Sequence, residues 1–151
     1  MKKIGLLLIT LCFTLILCSG CTKDGFLNIY KSANEKVGDM VLTSQSKLKG
    51  NREFGEDHYT GTYEVTYKKF KGEEVIFGGT TIERDNDNIH IKLNVENSDG
   101  NIKIYMKLKE KEESLAIEDG SYEFDFNVKD GSNYLIINGD NYSGKVNIEI
   151  K

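Results

Sequence analysis

The chain of 151 residues contains no proline and no tryptophan, and its three cysteines all fall within the first 21 residues. Each shortage excludes something. Without cysteine after Cys21, the remainder can form no internal disulfide and must be held by its core. Without proline, its strand edges lack that residue's protection against pairing. Without tryptophan, it has no indole platform on which a sugar ring could stack. Arginine occurs only at Arg52 and Arg84, histidine only at His58 and His90, and the formal net charge is -4, a poor match for the phosphate backbone of nucleic acid. Neither Gly-x-Ser-x-Gly nor His-Glu-x-x-His is present, so the familiar nucleophile and zinc constellations are missing. Enzyme activity is not expected, a hydrolase working through a pair of carboxylates being the least favoured reading, and no cofactor is implied.

What is present at the start is an export signal. Lys2 and Lys3 precede an almost unbroken apolar run from Ile4 to Leu17, which is short of the roughly 20 residues a membrane-spanning helix needs. Leu17-Cys18-Ser19-Gly20-Cys21 comes next and resembles the lipobox of bacterial lipoproteins, in which small residues precede an obligatory cysteine. Cysteine suits that position because a thiolate is a good nucleophile near neutral pH and can take up a diacylglyceryl group as a thioether. The family's usual Leu, three residues before the lipidated cysteine, is here Cys18. The resemblance implies removal of residues 1–20, lipid on Cys21, and display on the extracytoplasmic face of a membrane. Loss of the two signal lysines takes the net charge from -4 to -6.

Residues 21–57 differ in pattern from residues 58–151. Phe26, Ile29, Tyr30, Ala33 and Val37 recur at helical spacing, which predicts a short helix from Lys23 to Val37 that Gly38 would end. Thr43 to Asp57 is rich in Ser, Gln, Lys, Gly, Asn and Glu, the composition of a flexible tether.

From Tyr59 the hydrophobic period becomes two. Tyr63, Val65 and Tyr67 alternate with polar residues, as do Ile89 to Val95, Ile102 to Leu108, Tyr122 to Val128 and Val146 to Ile150. Shorter apolar runs stand at Val75 to Phe77, Leu115 to Ile117 and Tyr134 to Ile137. Ser98-Asp99-Gly100-Asn101, Asp119-Gly120, Asp130-Gly131-Ser132 and Asn138-Gly139-Asp140 all carry turn chemistry, where glycine or asparagine accepts positive φ. The pattern predicts an all-β domain over residues 58–151, an antiparallel sandwich of about eight strands, jelly-roll or Ig-like; a closed barrel would show the same periodicity.

Candidate sites are few. His90 is expected on the wet face of its strand, and His58 at the entry to the first strand. Asp85 and Asp87, with Asn86 and Asn88, offer hard oxygens of the kind calcium uses, but lack the glycine and distant glutamate of an EF-hand loop, so a polar hairpin turn is the preferred reading. Asn138 to Asn141 reads the same way. Phe77-Gly78-Gly79-Thr80 lacks the following helix and the lysine of a phosphate loop and reads as a strand bulge. Most of the tyrosines fall on apolar parity, whereas Tyr105 lies opposite Ile104 and Met106 and is expected on the surface as the one aromatic available to a ligand.

Tyr59-Thr60-Gly61-Thr62-Tyr63, Phe77-Gly78-Gly79-Thr80, Gly120-Ser121-Tyr122, and Gly131-Ser132-Asn133-Tyr134 leading to Ser143-Gly144-Lys145-Val146 together resemble small lipoproteins of low-GC Gram-positive bacteria, with a lipobox signal and a C-terminal β-sandwich domain. The resemblance covers about two thirds of the chain and implies a β-sandwich module behind a lipid anchor, with no reaction attached. A binding or structural module is therefore expected, with an envelope glycan or a protein as partner besides the membrane itself. Metabolic labelling with palmitate is expected to mark the wild-type protein and to fail on Cys21→Ala; labelling that survives the substitution would move the lipid elsewhere.

Overall fold

In the computed structural model, residues 41–81, 86–129 and 131–151 are described. Cys21, the helix expected from Lys23 to Val37, and Asp85 lie outside them. The described residues are all-β and antiparallel, as the alternation requires. The strands are β1 (Asn51–Phe54), β2 (Gly61–Thr81), β3 (Asn88–Leu108), β4 (Lys111–Ala116), β5 (Gly120–Asn127) and β6 (Gly131–Ile150). Their order is β1-β2-β6-β3-β4, and β5 lies beside the other half of β3. β3 pairs with β5 through Asn88 to Val95 and with β4 through Ile104 to Leu108.

Three strands are unusually long. A straight strand of 21 residues would run roughly 70 Å, far beyond a domain of this size, whose radius of gyration is about 13 Å. The strands are therefore bent. Irregular pairing falls at Tyr67 to Gly72 in β2, at Asn97 to Asn101 in β3, and opposite both at Gly139 to Gly144 in β6. Positive φ gathers on the same line, at Lys69 (51°), Gly72 (129°), Gly100 (76°) and Asn141 (57°). A Cβ at Gly100 would run into the backbone of Asn141, so glycine is required there by both conformation and space.

The bend accounts for the strand count. The residues of Ser98 to Asn101 and Asn138 to Asp140 predict chain-reversing turns, and Val75 to Phe77 a separate strand. Instead each lies inside a continuous long strand, and the expected eight strands merge into fewer. Positive φ is needed equally by a reversing turn and by a strand corner. Here both flanks of each corner pair with the same neighbour, so the chain goes on without reversing.

Bending brings one face of the sheet onto itself. Tyr63, Val65 and Tyr67 of β2, Ile89, Ile91 and Leu93 of β3, and Val146, Ile148 and Ile150 of β6 share a single buried cluster with Ile76, Phe77, Ile104, Met106, Leu135 and Ile137 from beyond the corner. The most direct sign is within β2. The Tyr63 hydroxyl donates to Glu74 Oε2 at 2.8 Å across eleven residues of the same strand, which a straight strand would hold roughly 36 Å apart. Tyr67 donates to the same oxygen at 2.6 Å, and the Lys49 amide donates to Glu74 Oε1 at 2.7 Å. Glu74 is 3% exposed. All its partners are donors, the set that an acceptor-only carboxylate satisfies.

The segment before β2 departs from expectation. Thr43 to Asp57 reads as a tether, yet the Thr43 amide donates to the Val75 carbonyl at 3.0 Å and Thr43 Oγ1 accepts from the Val75 amide at 2.9 Å. Leu48 packs on the main core. β1 adds an edge strand through Asn51 to Phe54, opposite Glu64 to Gly61. Arg52, on that strand, spans the bend by donating to the Ile76 carbonyl at 2.8 Å, and its guanidinium lies 4.5 Å from the centre of the Phe54 ring. Backbone pairing and a few anchors thus order a stretch whose composition is polar.

Tyr105 also differs. Its parity is as expected, but it is 7% exposed. Val75, Ile136 and Tyr105 are cross-strand neighbours and form a second apolar cluster with Tyr134 on the outer side of the sheet, packed by Leu42. The Tyr105 hydroxyl donates to Glu73 Oε2 at 3.0 Å. The far side of this half-sheet is covered, so opposite parity does not mean solvent.

Glu74 and the buried phenols should each be visible in stability measurements. Replacing Glu74 with Leu leaves two phenols and an amide without their acceptor, and should cost about 3 kcal/mol or more, read as a lower midpoint in urea with unchanged slope; Tyr67→Phe should cost less. Burial pushes the phenols of Tyr63, Tyr67, Tyr105 and Tyr142 up, those of Tyr105 and Tyr142 to about 12. An unfolded chain releases these protons near pH ~10, before the folded one does. Their contribution to stability is complete below that pH and falls as pH rises towards about 12. In an alkaline titration, ionisation of these four phenols, read as the phenolate absorbance lost in the matching Tyr→Phe variants, should accompany loss of strand circular dichroism. Ionisation of these four in a chain that stays folded would contradict this.

Candidate functional site

Folding the apolar face inward leaves the other face of the Gly61-to-Tyr67 half of the sheet in solvent, and period-two alternation makes it polar. Cross-strand registers place its side chains in rows. Glu64 lies beside Asn147, Asn147 beside Asn94, and Asn94 beside Ser121. The next row runs from Thr62 through Glu149 and Lys92 to Glu123. These rows line an open cleft of about 630 Å³ across β2, β6, β3 and β5. Because the residues sit on paired strands and not on loops, their spacing is fixed by the ladder.

Hydrogen bonds inside the cleft hold part of it ready. Ser121 Oγ donates to Asn94 Oδ1 at 2.7 Å, and Lys92 Nζ stands 3.3 Å from Glu123 Oε1. The exposed Lys151 Nζ lies 2.8 Å from Glu149 Oε1, and this contact is the main cause holding the Glu149 carboxyl below its ordinary value. Glu64, Glu123 and Glu149 outnumber Lys92, so the cleft carries a modest negative charge. It offers amide, hydroxyl, carboxylate and ammonium groups, and the aromatic ring in its lining, Tyr122, is half-buried and packed against the core.

His90 stands at the end of this face, on its wet side as expected and about a third exposed. Nδ1 is 2.8 Å from Asp125 Oδ1 and Nε2 is 3.7 Å from Glu123 Oε2. Both nitrogens thus face carboxylates and not a hydroxyl or thiol, so the ring has acid partners without a nucleophile to activate. Asp87 belongs to the connection before β3, and its carbonyl accepts the Val128 amide at 2.8 Å. Among the described residues no three His, Cys, Asp or Glu side chains gather as a metal site. Phe77 to Thr80 lies within β2 beside a bulge, as read from its glycines.

All seven described tyrosines have an assigned hydroxyl contact. Besides the Glu74 and Glu73 bonds, Tyr59 donates to the Gly79 carbonyl at 2.7 Å, Tyr142 to the Glu96 carbonyl at 2.9 Å, and Tyr134 meets Thr80 Oγ1 at 3.3 Å. Tyr122 reaches the Glu118 and Asp119 carbonyls at 3.3 Å. Tyr105 is therefore part of the frame, not a platform. The polar cleft is hidden in the sequence because each of its residues looks like an ordinary wet-face residue. The available signal is alternation itself: Thr62, Glu64, Lys92, Asn94, Asn147 and Glu149 are all positions opposite the core set.

No family model matches the chain, and no curated protein matches it. Among solved structures, the chain is similar to the pre-peptidase C-terminal domain of collagenase from Bacillus anthracis, at 19% identity and a TM-score of 0.45, covering 67% of this chain and 99% of that one. It is also similar to the CBM22-1 xylan-binding domain from Paenibacillus barcinonensis Xyn10C, at 13% identity and a TM-score of 0.39, covering 72% of this chain and 83% of that one. A further similarity is to a protein of Bacillus endospore appendages, a family of disulfide-linked pili, at 14% identity and a TM-score of 0.38, covering 72% and 94%.

Proposed function

We propose that this chain is a non-catalytic binding module, held by lipid on Cys21 at the extracytoplasmic face of a membrane, and that its polar cleft takes an envelope glycan. The observation that carries the ligand reading is the cleft of about 630 Å³ lined by Thr62, Glu64, Lys92, Asn94, Ser121 and Asn147. A sugar presents adjacent hydroxyls that both donate and accept. Asparagine amides can answer both roles with one planar group, and carboxylates accept from a pair of hydroxyls. Strand-borne groups at fixed spacing suit a repeating ligand, since little conformational freedom is lost on binding.

Charge selects within the class. Three glutamates against one lysine disfavour uronic acids and phosphorylated sugars in the cleft, and favour neutral or amine-bearing ones. Recognition here rests on hydrogen bonds, because the described tyrosines are engaged in the frame. The export and lipid parts of the reading rest on the signal and on Cys21, and the palmitate experiment addresses them separately.

The full chain in neutral detergent should be retained on insoluble envelope polysaccharide. The double substitution Asn94→Ala with Asn147→Ala should weaken retention about tenfold or more, as two lost hydrogen bonds imply, with little change in melting temperature because both side chains face solvent. Unchanged retention in the double variant, or no retention of wild type on any neutral or amino-sugar polymer, would overturn the glycan reading. A single protein captured instead would favour a protein-interaction subunit.

A further inference from the structure

The strand corner carries a second feature of opposite charge. Lys68, Lys69 and Lys71 cluster at the bend of β2, and with Lys49 they line a cleft of about 480 Å³ that also includes Thr66 and Phe70. In a chain of net charge -4, four lysines around one cleft are a local excess. Among the described residues, only Lys71 of these four has an acid within ion-pair distance: Asp140 at 3.5 Å, with both side chains largely exposed. That contact is screened by water and salt.

The backbone makes the arrangement more telling. Lys69 has a φ of 51°, a conformation that costs an L-residue with a Cβ and that glycine adopts readily. The Lys69 amide donates to Ser143 Oγ at 3.0 Å, which holds the residue in place on β6. At the other corner positions of positive φ the chain uses Gly72, Gly100 and Asn141, the residue types that tolerate it. A lysine at this position adds charge to the cleft where fold stability alone would favour glycine.

We infer that this corner cleft binds a phosphate group, of the kind carried by glycerol phosphate. Lysine ammonium groups are compact point charges that surround a tetrahedral anion without requiring the planar fork by which arginine grips carboxylate. Arg52 is committed elsewhere, to the Ile76 carbonyl. The volume accommodates a headgroup-sized ligand, and Phe70 supplies an apolar wall for its carbon skeleton. The site is separate from the polar cleft and does not rest on the glycan reading.

The test is lysine footprinting of the full chain by acetylation, read peptide by peptide. One arm adds soluble glycerol-phosphate oligomer to protein in neutral detergent. The other compares nanodiscs of phosphatidylcholine with and without phosphatidylglycerol. Lys49, Lys68, Lys69 and Lys71 should be protected relative to Lys107 and Lys111, and raised salt should remove the protection. Protection by oligomer identifies a soluble phosphate source, and protection only with phosphatidylglycerol identifies the headgroup. Protection in neither arm overturns the proposal. In titration with the ligand that protects, each lysine removed should weaken binding about fivefold. Lys69→Gly should do so with an unchanged or higher melting temperature, which separates ligand binding from fold. Affinity unchanged in a folded Lys68→Glu, Lys71→Glu double variant would also overturn it.

Discussion

The structure depends on closing β2 upon itself, and the Glu74 carboxylate is the group that ties its two halves. A buried carboxylate is costly unless its oxygens are satisfied. Here two phenols from before the corner and one amide from the preceding segment converge on it. Those donors can meet Glu74 only when the sheet is bent, so the interaction distinguishes the folded-over sheet from a flat one. Apolar burial supplies the larger free energy, but it is non-directional. The hydrogen bonds to Glu74 choose which arrangement that burial stabilises.

The two half-sheets acquire different outer faces once the corner is made. Beyond it, Val75, Ile136 and Tyr105 line up in register, and Leu42 covers them. Before it, amides, carboxylates and hydroxyls remain in solvent and form a cleft. The corner itself exposes a run of lysines that a smooth strand would distribute alternately between the two faces. Three surfaces of distinct chemistry thus arise from one sheet, and the rigidity of the paired strands fixes the spacing of groups in each.

The fold is legible in the sequence to the extent that it depends on periodicity. Tyr63, Val65 and Tyr67, the isoleucines of β3 and the last three apolar residues of β6 all occupy the core, as their alternation requires. Tyr134 to Ile137, four apolar residues in succession, carries a local sign of a strand buried on both faces. In the structure Leu135 and Ile137 join the main core, while Tyr134 and Ile136 join the outer cluster. The site is less legible. Asn94, Asn147 and Ser121 come from three strands far apart in sequence, and only registry brings them together. Parity places Tyr105 on the correct face, but its neighbours on that face come from β2, from β6 and from Leu42.

The sequence by itself determined that the chain is β-rich, which side of each segment is apolar, and where positive φ is required, because these depend on each residue's own backbone and side chain. It also set the features on which the export reading rests: an apolar run too short to span, and Cys21 behind the small residues Ser19 and Gly20. Tertiary structure decided whether each positive-φ position reverses the chain or bends it. Ser98 to Asn101 and Asn138 to Asp140 have the residues of hairpin turns, yet they lie within β3 and β6. The reason is physical: a glycine or asparagine specifies a local dihedral angle, whereas reversal depends on which strand the flanking segments pair with. That pairing is a long-range choice, stabilised here by a common core and by a carboxylate that the two halves of one strand share.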